Sequence, residues 1–304
     1  MDQTTFLPQA TAKTSTRGIL SEMNLEVKQT EEGVNRVEGT ITIKTDDINY
    51  TTYRIGANAT TKAGNPSRSY ENLVAFMERA HSIAEVGEEM ASRVSVNGRL
   101  SPWTSFNTMG NKSHGVSYNT GFVSIVNAEQ DPDADFFSTF ELECYVQSAD
   151  DEYDKETQVP TGRAILHTLV PIYNNGIEPL DIVVPQEYAM AARQLFTQPG
   201  CQSAHIYGNI GNTEEHQTKT IECQIGGAVT QTRTKRVNEL ILTNAGTMEK
   251  QYELETIQRA IAEYDLVLEA KKKKAMNGNN SATNGNSMIG GAVGAGQPRR
   301  NFGF

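Results

Sequence analysis

The residues with the most chemical character in this chain are cations and aromatic rings that recur together between residues 44 and 118. They are Lys44, Tyr50, Tyr53, Arg54, Lys62, Arg68, Arg93, Arg99, Trp103, Phe106, Lys112 and Tyr118. Guanidinium and ammonium groups neutralise phosphates, and flat π-faces accept stacked bases at ~1–3 kcal/mol each. Both types interleaved in one region suit an unpaired polyanion with accessible bases. The run Arg99-Leu100-Ser101-Pro102-Trp103-Thr104-Ser105-Phe106 places the single Trp of the chain beside a proline, past a strand end. For each ring, burial in a core is the competing reading. Tyr50 and Tyr53 have opposite strand parity, so at most one of them faces a shared groove.

Other chemistry is poorly served. The sequence has no GxxxxGK[ST] loop, no G-x-S-x-G elbow and no H-E-x-x-H pair, so no nucleotide, acyl-transfer or zincin signature is present. The chain reads as a binding protein rather than an enzyme, with no cofactor. One pattern has metal-ligand types: Cys201-x3-His205, followed by His216 and Cys223. Its spacing is looser than the paired ligands of zinc ribbons, and no metal site is expected there. The carboxylates Asp150, Asp151, Glu152, Asp154 and Glu156 lack EF-hand order and read as a solvated loop.

The formal net charge of −10 at first opposes a polyanionic ligand. Its distribution changes that reading. Residues 1–134 hold 12 basic against 16 acidic residues, residues 135–246 hold 7 against 15, and residues 271–304 hold 6 basic and no acidic residues, so the first unit is far less acidic than the second. Screening limits each charge to roughly 8–10 Å, so a local basic groove can work on an acidic body. The three cysteines, sparse and odd in number, argue against a disulfide framework and agree with a reducing compartment. No run of 18 apolar residues occurs, and the first residues lack the order of a secretory signal. A cytoplasmic location is expected, the host's cytoplasm if the protein is viral, with no membrane partner.

The elements that must hold these residues recur in one order. Strands are expected at residues 19–27, 37–43 and 50–55, a helix capped by Ser69, then strands at 93–100 and 116–126. The second half repeats this: strands at 140–146, 163–173 and 180–184, a helix at 186–196, then strands near 205–210 and 237–242. Asn174-Asn175-Gly176 marks a hairpin and Gly226-Gly227 a long loop. Two β-β-β-α-β-β units match the five-stranded OB barrel, with a helix between strands three and four. The predicted fold is therefore mainly β: two tandem OB-type barrels, a C-terminal helix and a disordered tail. The expected boundaries are a flexible arm at 1–16, barrel domains at 17–130 and 136–246, a helix at 247–276, and a Gly/Asn-rich tail at 277–304. The acidic loop of the second unit would repel phosphate, so the first unit is expected to dominate binding.

Arg93–Phe106, Thr139–Val146 with Gly162–Pro185, and Ser203–Thr213 resemble bacteriophage single-stranded DNA-binding proteins with two OB units. The resemblance covers roughly residues 17–245. It implies a protein that coats exposed strands in replication, recombination or repair, with single-stranded DNA as ligand. It also implies partner recruitment through a terminal aromatic, here Phe302 and Phe304, although such tails are usually acidic and this one is basic. Three other readings remain open at this point: a phage structural or assembly protein made of β-barrels, an enzyme using the Cys/His cluster, and an RNA-binding OB protein. Oligomeric state is open as well.

Overall fold

The computed structural model describes residues 6–127, 135–154, 157–198, 200, 202–221 and 229–277, the side chains of 214–221 and 229–236 excepted. β1 (Ala12–Gln29) organises the first half. Ala12, Thr14, Thr16 and Leu20 are buried, while Lys13, Ser15 and Arg17 alternate on the other face. A register shift between Leu20 and Glu22 bends the strand, so its two halves take different partners. The later half pairs with β2 (Asn35–Lys44), which pairs with β3 (Tyr50–Asn58). The helices α1 (Arg68–Arg79) and α2 (Ile83–Val86) follow. Ser67, rather than Ser69, caps α1, and Leu73 and Phe76 plug the barrel end. β4 (Arg93–Phe106) returns to the early half of β1. β5 (Lys112–Thr120) runs antiparallel to β4 and parallel to β3. The ring β1-β2-β3-β5-β4-β1 is thereby closed. A short β6 (Val123–Ile125) adds an edge beside β4.

The second half repeats the plan. β7 (Phe137–Tyr153), β8 (Pro160–Pro171) and β9 (Ile177–Val184) pair in sequence. α3 (Gln186–Phe196) follows and buries Ala189, Ala192 and Phe196. β10 (Ser203–Ile221) and β11 (Val229–Thr247) then form a long antiparallel ribbon. β10 returns to β7, and β11 touches β9 in parallel at Ile241–Val183. The ring β7-β8-β9-β11-β10-β7 has the same order as the first. Two five-stranded rings, each with its helix between the third and fourth strand, are the OB plan twice over.

The two rings share one sheet. The early halves of β1 and β7 pair antiparallel, from Ala12–Leu142 to Arg17–Phe137. Each ring's fourth-to-fifth-strand hairpin also reaches over the other ring. Thr213 of β10 bridges to Asn49 at the start of β3, and His114 of β5 lies 4.0 Å from Asp181 of β9.

Several elements differ from expectation. Residues 12–16 belong to β1 rather than to a flexible arm. The preceding residues are docked: Leu7 is buried, and the Ala10 N–H donates to the Pro171 carbonyl at 3.0 Å. The acidic stretch from Ser148 is largely ladder, because β7 runs on to Tyr153 and β8 resumes at Pro160. The Asn174–Asn175 turn holds as a hairpin, with both residues at φ near +60°. Gly226 and Gly227 lie outside the described residues. α4 (Leu254–Asn277) seats Ile257 and Ala260 on Leu7, Leu169 and Ile177. The Tyr264 hydroxyl sits 2.8 Å from Thr104 Oγ1 of the first ring and donates to Glu178 of the second, so α4 joins both. Burial pushes that hydroxyl up to about 12. No described helix is long and apolar enough to cross a membrane.

Gly208 marks a register shift in β10, where a Cβ would run into the Ile241 carbonyl and the Phe140 ring. Gly208→Ala is expected to lower unfolding stability by about 1–3 kcal/mol, as overpacking does. Urea denaturation followed by far-UV dichroism measures this; an unchanged midpoint contradicts the tight corner.

Candidate nucleic-acid interface

Strand parity decides which of the candidate residues can meet a ligand. In β3 the odd residues Thr51, Tyr53, Ile55 and Ala57 are buried, and the even residues Thr52, Arg54, Gly56 and Asn58 face out. Tyr50 shares the outward parity and is half-buried. In β4 the even residues Val94, Val96, Leu100, Pro102 and Thr104 are buried. Arg99, Ser101 and Trp103 therefore lie on the outside. Trp103 is half-buried because its indole lies over Gly115 of β5, directly opposite. A Cβ at Gly115 would stand 3.0 Å from the indole, so a glycine is what lets the ring lie flat there.

The ladder registers bring these residues into line. Thr40 of β2 pairs with Arg54, Arg54 with Asn119 of β5, Asn119 with Arg99, and Arg99 with Lys13 of β1. One outward row thus carries Arg54, Arg99 and Lys13, with Trp103 about 13 Å further along β4 at ~3.3 Å per residue. Arg54 is exposed and makes no hydrogen bond or ion pair among the described residues. Arg99 lies against the Gln9 carboxamide with its surface exposed. Lys13 lies outside the sequence-predicted site, within residues 1–16 that carry no clear periodicity. The signal was present: Ala12, Thr14 and Thr16 alternate with Lys13, Ser15 and Arg17, but with side chains too small to look like a core strand.

Other candidates are not part of this row. Tyr53 and Tyr118 are core residues, 0% and 5% exposed, with ring centroids 5.9 Å apart. The Tyr53 hydroxyl sits 2.7 Å from Thr16 Oγ1, and burial raises the pKa of both phenols. Both are corrections: alternation shows that one face is buried without showing which, and each ring lies on the inner side. Lys44 is held by Glu88 at 2.8 Å, which raises its pKa, and it is occupied rather than presented to a ligand. Phe106 has the inward parity of Thr104 and is half-buried. Arg93 is half-buried, with its guanidinium over the Phe136 ring at 5.6 Å. Lys62, Arg68 and Lys112 are exposed on the loop after β3, at the start of α1 and at the β4–β5 hairpin. Phe302 and Phe304 lie outside the described residues.

Of the cysteine and histidine pattern, only the His205 side chain is among those described. His205 and His216 lie in one strand, separated by roughly 35 Å at ~3.3 Å per residue. His205 Nε2 is 3.1 Å from Glu141, and its ring stacks on Tyr207 at 4.7 Å. Cys201 and Cys223 lie outside the described residues, as does the His216 side chain. No group of three metal-ligating side chains occurs among the described residues.

The YorF family model matches residues 11–281 of the chain. The chain belongs to the YorF family. No curated protein matches it. Solved structures similar to this YorF chain include the wild-type single-stranded DNA binding protein from Thermus aquaticus. That likeness has 12% identity, 81% of this chain and 97% of that one covered, and a TM-score of 0.46. A deletion mutant of the same Thermus protein gives 12%, 81% and 98%, with 0.45. A replication protein A heterotrimer bound to ssDNA gives 9% identity, 87% and 70% coverage, and 0.20. At these values the likenesses decide no ligand, which must be argued from the site.

The second ring lacks the row. The positions matching Arg54, Asn119, Arg99 and Lys13 around its ladders are Val183, Ile241, Asn209 and Thr139. Arg163 is closed between Glu152 at 2.6 Å and Glu239 at 3.0 Å. α4 and Leu7 cover Leu169 and Ile177. Replacing the core ring of Tyr53→Ala is expected to cost about 3–5 kcal/mol of stability. Tyr53→Phe keeps the ring and should leave ligand affinity unchanged. Chemical denaturation and a binding isotherm on the two variants check this; weakened binding by a stably folded Tyr53→Phe contradicts the core assignment.

Proposed function

We propose that this protein binds single-stranded DNA on the outer face of its first barrel, by phosphate contacts and base stacking, with no bond made or broken. The observation that carries this is the row Arg54, Asn119, Arg99 and Lys13 with Trp103 on the same face. The β2–β3 face and the loops after strands one and four are where OB barrels take oligonucleotides. Cations spaced along a strand-crossing row suit a backbone that runs across the ladders, and the half-buried indole of Trp103 on that face suits an unpaired base. The duplex alternative is disfavoured because its bases are stacked internally, which leaves Trp103 without a partner. The second barrel contributes less, since its equivalent row carries no cation and Arg163 is neutralised by Glu152 and Glu239. The sequence resemblance to phage proteins supports a role in coating strands during phage DNA replication, recombination or repair.

Titration with oligo-dT, read by quenching of Trp103 fluorescence, tests the proposal. Trp103→Ala is expected to cost about 1–3 kcal/mol of affinity, measured by a mobility shift. Arg54→Ala should weaken binding and reduce the slope of log K against log salt by about 0.7, the share of one phosphate on a single strand. Absence of salt-sensitive binding by the folded wild type refutes the proposal. Oligo-U of matched length decides between DNA and RNA preference.

A further inference from the structure

The outward row does not end at Lys13. Lys13 pairs with Glu141 of β7, and Glu141 with Tyr207 of β10, so the ladder continues without a break onto the second barrel. At this crossing the sheet forms a cleft of about 520 Å³, lined among others by Lys13, Ser15, Asn97, Thr139, Tyr207 and Thr243. That volume lies in the range of small-ligand sites.

Its chemistry differs from that of the row leading to it. Lys13 Nζ is 3.2 Å from Glu141, and Glu141 also meets His205, so the floor carries little net charge. The rim offers Asn97, an exposed amide, and the hydroxyls of Ser15, Thr139 and Thr243. Tyr207 is 43% exposed and its ring is braced by the His205 imidazole at an interplanar angle of 28°. A braced aromatic face beside neutral donors and acceptors recognises a heterocyclic base better than a phosphate. From Arg54 to Tyr207 the row crosses about 24 Å at ~4.8 Å per strand.

We infer that the cleft between the barrels is a nucleobase subsite, in which a base of the bound single strand stacks on Tyr207 and hydrogen-bonds to Asn97. The inference rests on the binding face proposed above, and extends that path from the first barrel onto the second. It makes the length of strand bound depend on the junction rather than on either barrel alone.

A ladder of oligo-dT lengths, measured by anisotropy on the full chain, tests it. Wild-type affinity should rise in two stages, first as the face around Trp103 fills and then as the cleft fills. Tyr207→Ala should leave the shortest binding oligomers unaffected and lose at least about fivefold with longer ones. Tyr207→Phe should retain wild-type behaviour. Asn97→Asp, which places a carboxylate at an exposed rim position, should repeat the loss without touching the core. Trp103→Ala should weaken every length. If Tyr207→Ala and Asn97→Asp both follow the wild type at all lengths while Trp103→Ala is weakened, the cleft inference is wrong and the first-barrel face stands. If the wild type binds no oligomer, or Trp103→Ala has no effect, the face itself is wrong.

Discussion

The antiparallel pairing between the early halves of β1 and β7 is the constraint on which the rest depends. Within its own ring the early half of β1 pairs with β4 on one side only, which leaves its other edge as a surface open to a further strand. Here that surface is continued by a second ring, through backbone hydrogen bonds from Ala12–Leu142 to Arg17–Phe137. Ladder pairing fixes register absolutely, because a slip of one residue would turn Thr14, Thr16 and Phe140 outward and Lys13 and Glu141 inward. The same pairing therefore sets the core and lines up the outer rows of both barrels. Thr16 Oγ1 illustrates the coupling: it sits 2.7 Å from both Tyr53 of the first ring and Ser138 of β7.

Two rings of one topology have diverged in what their outer faces carry. The first presents the row Arg54, Arg99 and Lys13 with an indole; the second has Val183, Ile241, Asn209 and Thr139 at the matching positions, and buries Leu169 and Ile177 under α4. Burial of Glu178 is matched by Tyr264 and Lys271, so the helix brings its own polar partners to the covered surface. The division is economical in charge. The acidic excess of the chain sits mostly in the second unit, and the first unit's carboxylate Glu38 is engaged by Lys28 and Arg36 away from the central row.

Much of this plan is legible in the sequence. Alternation of apolar and polar residues gave the strand order of both units, and Asn174-Asn175-Gly176 gave a turn whose left-handed residues the structure contains. Parity alone showed that Tyr50 and Tyr53 could not both face out, though not which was inside. Choosing between them needs the barrel's closure, a non-local event with no local signature. Pairing of Lys13 with Glu141 joins residues far apart in sequence, so the cationic row and the cleft were both invisible until the ladders were known. Trp103 is a further case. The proline neighbour points to a loop past a strand end, yet β4 runs through Trp103 to Phe106 and the ring is half-buried against Gly115, because the β4–β5 pairing that extends the strand is not visible locally.

The most direct test of the account is where a bound strand touches the protein. Ultraviolet crosslinking of oligo-dT to the full chain, with the adducts mapped by mass spectrometry, reports this residue by residue. The account predicts adducts on β4 at or beside Trp103 and on the start of β3 around Tyr50. Adducts confined to β8 and β9, with the first barrel unmarked, would contradict it.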